Sequence, residues 1–102
     1  MSQFGKAFEP TGATVNEAVT GSAETVSLAG RLSDRDGAIH VVVIGTQTVF
    51  IRLDGVTPTV SNALPLLAGS IQTFAMPAGQ TDIKHIAAGA GSTIYVTPGR
   101  GV

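Results

Sequence analysis

Glycine and proline interrupt this chain about every 8–12 residues, and between the interruptions nothing repeats at the 3.6-residue period of a helix. Thirteen glycines and five prolines in 102 residues leave room only for short extended segments. Glu24-Thr25-Val26-Ser27-Leu28 alternates polar with apolar, as a strand with one wet and one buried face does. Val41-Val42-Val43-Ile44 is the most apolar run and the natural centre of a sheet. Thr48–Leu53, Ser70–Met76, Asp82–Ala87 and Ser92–Thr97 read as further strands. Ala38–Ile44 and Thr48–Leu53 are expected to form a hairpin across Gly45-Thr46. Val56–Asn62, with Pro58 inside it, is expected to be a short edge strand at best. In the strand at 70–76, Ile71, Phe74 and Met76 compete for the core face.

These segments predict an all-β fold: an antiparallel β-sandwich or barrel of about 7–8 strands, jelly-roll-like, with an extended N-terminal arm. An immunoglobulin-like sandwich is the second choice, without the tryptophan and cysteine pair of antibody-type domains. The arm is expected over residues 1–12 and a single domain over 13–102. Phe4 and Phe8 stand in the arm without any strand period around them. Aromatic rings left in water are unfavourable, so burial against a neighbouring subunit is expected.

Charge is sparse. Charged residues make up 13% of the chain, against about 25% in ordinary domains. Such a surface suits a protein partly covered by partners. The net charge of −1 and the scattered basic residues argue against nucleic acid, which needs clustered Lys and Arg. No apolar run reaches the roughly 18 residues of a membrane-spanning helix, and the first residues do not read as a signal peptide. The lack of cysteine excludes disulfides and thiolate chemistry and fits assembly in a cytoplasm.

Chemistry is hard to find. His40 and His85 lie on separate predicted strands, and only Asp82 is near His85 in sequence, so no metal ligand set is expected. A cupin-like metal site would need the two histidines to converge. Asp34-Arg35-Asp36-Gly37 opens like a calcium loop but lacks further ligands. Ser70 and Ser92 follow glycines without forming a nucleophile elbow. Catalytic residues, cofactors and enzymatic activity are therefore not expected. Ala63-Leu64-Pro65-Leu66-Leu67 is the main anomaly, an apolar loop that either caps the barrel or meets a partner. The expected interface residues are Phe4, Phe8, Leu64, Pro65, Leu66 and Leu67.

Four pieces in order, Val49–Leu53, Ala63–Ser70, Phe74–Gly79 and Ile86–Gly99, resemble a group of small bacteriophage virion structural proteins. Members pair a strand bearing aromatic and Arg residues with a leucine-proline loop, and they end in a strand like Ser92-Thr93-Ile94-Tyr95-Val96-Thr97-Pro98-Gly99. The resemblance covers the chain from Val49 onward. It implies a capsid decoration or cement protein located in the virion, a homo-oligomer with a trimer favoured. Its partners would be the major capsid protein or other virion subunits. A neck, head–tail or tail-fibre component and a carbohydrate- or receptor-binding module are the alternatives.

Overall fold

A computed structural model describes residues 8–32 and 37–101. Nine strands follow one another: β1 (Glu9–Pro10), β2 (Val15–Val19), β3 (Glu24–Ser27), β4 (Gly37–Gly45), β5 (Val49–Arg52), β6 (Leu64–Leu66), β7 (Ile71–Ala75), β8 (Asp82–Ala87) and β9 (Ser92–Arg100). No helix occurs among the described residues. The strands form two antiparallel sheets. Sheet A runs β1/β2–β9–β4–β7, with β1 and β2 pairing in succession along the same strand β9. Sheet B runs β3–β8–β5–β6.

The pairing is nested. β2 joins β9, β3 joins β8, β4 joins β7 and β5 joins β6, like the rungs of one long hairpin. Rolling that hairpin lets β4 meet β9 and β5 meet β8, which divides the rungs between two sheets. With β1 and β2 counted as one broken strand, this is the eight-stranded jelly roll. The expected β-sandwich is what the chain forms.

Alternation fixes the core. Ile39, Val41 and Val43 of β4, Ile94 and Val96 of β9, and Val19 of β2 face inward from sheet A. Val26, Ile51, Leu66, Ile83 and Ala87 meet them from sheet B. Val41 is opposite Val96 and Val49 opposite both Ala87 and Leu66, so the cross-strand register already groups the buried residues.

Three expectations are corrected. β4 and β5 do not form a hairpin, because they belong to different sheets. The short link between them crosses the sandwich, held by Ser92. Its Oγ accepts from the Gln47 N–H and donates to the Gln47 carbonyl, each at 2.8 Å. Gly45 and Gly91 meet at this corner, and a Cβ on Gly45 would collide with Gly91 and Ser92 backbone. Second, Val56–Asn62 is a loop. Asn62 accepts the Thr59 N–H at 2.7 Å, and Arg52 donates to the Asn62 carbonyl at 2.9 Å, a folded turn in place of an edge strand. Third, the last strand, expected over Ser92–Thr97, runs on through Pro98 and Gly99 to Arg100.

The arm also ends sooner than expected. Glu9 and Pro10 pair with Arg100 and Gly99, and the Thr11 N–H donates to the Pro98 carbonyl at 3.0 Å. Residues 1–7, including Phe4, and the aspartate loop at 33–36 lie outside the described residues.

Candidate functional site

The outer faces of the two sheets differ in chemistry. On sheet A, cross-strand partners form rows that share the outer face. Asn16, Tyr95, Val42 and Ile71 make one row. Ala18, Thr93 and Ile44 make the next, and Thr97, His40 and Thr73 another. Pro10, Gly99, Ala38 and Ala75 complete the face. No Asp, Glu, Lys or Arg stands in any of these rows. Ile44 is 57% and Ile71 64% exposed, which is unusual for isoleucine on a sheet. Tyr95 is a half-buried member of this face.

Phe8 covers one end of it. A Cβ on Gly99 would meet the Phe8 ring, so only glycine allows the ring to lie against β9. The ring also packs on His40, with centroids 5.6 Å apart, and His40 Nδ1 bonds Thr73 Oγ1 at 3.1 Å. Phe8, expected at an interface, is thus half-buried against its own sheet.

Sheet B carries charge on its outer face. Thr25, Lys84 and Arg52 form one row, and Ser27 faces Asp82 in another. Arg52 turns to Asp54, donating from Nε at 3.0 Å and from Nη2 at 2.5 Å. That hydrogen bonding holds the Asp54 carboxyl down from 3.8 to about 2 and raises the Arg52 guanidinium.

The leucine loop divides between the two environments. Leu66 is 1% exposed and lies in the core, which corrects its expected place at an interface. It opposes Val49, whose side chain faces inward, and the register takes Leu66 with it. Leu64 shares that inner side but sits at the mouth of the sandwich, half exposed. Pro65 and Leu67 face out, Leu67 at 67%.

Between the sheets lies a polar cluster. Glu17 of β2 faces inward from sheet A, and Glu24 of β3 is directly opposite His85 of β8 on the inner side of sheet B. His85 is 0% exposed. Its Nε2 is 2.5 Å from Glu17 Oε1, and its Nδ1 has no hydrogen-bond partner among the described residues. One ligand atom from each of the three residues lies within 4.8 Å of the other two. The convergence expected of a cupin does not occur: His40 is on the outer face of sheet A, and His85 is inside. Ser92, considered as a nucleophile, has its hydroxyl committed to Gln47. The grouping of Glu17 with His85 was not visible in the sequence, where 68 residues separate them.

The fold is thus a jelly-roll β-sandwich. Comparison with solved structures finds the same fold in a chain of Bacillus endospore appendages, described as a novel family of disulfide-linked pili. The match has a TM-score of 0.54 and 15% sequence identity, covering 98% of this chain and 92% of that one. No protein-family model matches the chain, and no curated protein does.

Proposed function

We propose that this chain is a structural subunit that works while packed against other subunits, with the outer face of sheet A as its principal contact surface. The observation that carries the reading is a four-strand face without a formal charge, bearing exposed Ile44 and Ile71. Burying apolar area contributes about 25 cal/mol per Å². A face without charged groups loses little by desolvation in return. Exposed Leu64 and Leu67 extend the apolar surface at the β6 end of the sandwich.

Within that class, the resemblance of the chain from Val49 onward supports a decoration or cement protein of a phage head, an oligomer bound to the major capsid protein. Several weak contacts on one particle reinforce one another, and this suits a small clamp-like module. The fold shared with pilus-forming appendages favours a second reading, a filament subunit. Such a filament would have to hold together without the disulfides of those pili, because this chain has no cysteine.

Negative-stain electron microscopy of the purified chain, alone and mixed with phage heads, tests both. Decorated heads support the first reading and filaments the second. A monodisperse monomer that forms neither, at concentrations where sedimentation detects no association, overturns the structural role.

A further inference from the structure

The geometry points to a divalent transition-metal site formed by Glu17, Glu24 and His85, joining the two sheets near the edge where β2 and β3 lie. It is independent of the assembly role proposed above.

The donor set comes first. An imidazole and two carboxylates are borderline-to-hard ligands, a combination that zinc accepts. All three project into the same interval between the sheets, from three strands whose register holds them there. Their ligand atoms already lie within 4.8 Å of one another. Zinc holds its ligands at about 2.0–2.2 Å, which sets tetrahedral neighbours about 3.3 Å apart. The site closes if Glu24 is drawn inward and the 2.5 Å His85–Glu17 contact opens.

Charge is the second argument. Among the described residues, neither glutamate is paired with a lysine or arginine. A dication held between them would supply the positive partner that both carboxylates lack there. The third argument is His85 itself: a fully buried ring whose Nε2, its one polar anchor among the described residues, is directed at Glu17 and into the cluster.

The arrangement also sets the expected strength. With Glu17 ionised, Nε2 carries the ring proton, because a carboxylate can only accept. Ligation at Nε2 moves that proton to Nδ1, where no acceptor waits among the described residues. Missing support of this kind weakens metal sites about 10–100-fold. Three protein ligands leave a position for water, reached from the side on which Glu17 is 37% exposed.

Calorimetric titration with ZnCl2 and thermal melts in Zn2+ and in Mg2+ test the site. One Zn2+ per chain is expected, with a midpoint raised by about 10 °C or more at a hundredfold excess over the dissociation constant. Mg2+, which prefers octahedral oxygen ligands and retains its water, gives no comparable shift. Glu24→Gln, which removes one carboxylate ligand, should weaken Zn2+ at least tenfold. Glu17→Gln, which can still hydrogen-bond His85, should weaken Zn2+ likewise. No binding at millimolar Zn2+ overturns the site. So does equal affinity in the wild type and Glu24→Gln, which would place the ion on a surface histidine.

Discussion

The two sheets of this sandwich contribute equally to one core and present opposite outer faces. Sheet B shows a mixed exterior, with Lys84, Arg52 and Asp82 beside an apolar row of Pro65, Phe50 and Ile86, and an ion pair at its rim. Sheet A shows threonine, alanine, asparagine, Tyr95, valine and isoleucine, with no formal charge in the same setting. Stability alone does not require that contrast, since both faces lie outside the core. A monomer in water would gain solubility from charge on either side. What the difference teaches is that fold and contact surface are specified by alternate residues of the same strands. In β4, Ile39, Val41 and Val43 form the interior, while His40, Val42 and Ile44 form the exterior.

The largest effect expected separates folding from assembly. Leu66→Ala should destabilise the fold by about 2–5 kcal/mol, because it opens a cavity beside Val49 in the core. Leu67→Ala, one residue on and exposed, should change it by less than about 0.5 kcal/mol. Denaturant titration checks both, and equal losses would mean that the split of the leucine segment is misread. Next comes charge placed on each face in turn. Val42→Asp or Ile71→Asp should weaken subunit association by about tenfold or more, with an unchanged far-ultraviolet circular dichroism spectrum. Thr25→Asp, on the outer face of sheet B, should leave association as it is. Sedimentation velocity reads the result, and an equal effect from both faces would break the comparison.

The smallest effect concerns the rim of sheet B. The Asp54 carboxyl lies at about 2 in the folded chain, below its ordinary 3.8. A lowered carboxyl contributes stability that is full above the unfolded value and is lost as pH falls through the folded one. Wild type should therefore lose this contribution between about pH 4 and pH 2, and Asp54→Asn should not show that part of the slope. Because the pair sits at the solvent-screened rim, with Asp54 exposed, the difference should be slight. Thermal midpoints measured across that range check it.

Much of the fold could be read from alternation and turn chemistry. The strands at 24–27, 82–87 and 92–97 stand where period and glycines put them, and the two-sheet architecture followed. Partnership between strands could not be read this way. β4 and β5 adjoin in sequence and look like a hairpin, yet Gly45 and Gly91 let the chain cross to the other sheet. Nothing local distinguishes that corner from a turn. The leucines failed for a related reason: a three-residue strand is too short to show a period, so only Val49 opposite reveals which leucine turns inward. The Glu17–Glu24–His85 cluster depends on three registers at once. Single residues on β2, β3 and β8 carry no local sign of their convergence. Ile71 was placed among competitors for the core, and its outward turn follows from pairing with Val42.

The nesting of the strands has a consequence for how the molecule comes into being. β9, the last of the nine strands to be synthesised, occupies the middle of sheet A, between the first strands and β4. Until residues 92–100 emerge, β1 and β2 have no strand to pair with, and Val15 and Val19 lack their cover. Closure of sheet A must therefore wait for β9, and it must close loops spanning most of the described residues before reward arrives, a topology associated with slow folding. A chaperone that shields the nascent N-terminal half would act in that interval.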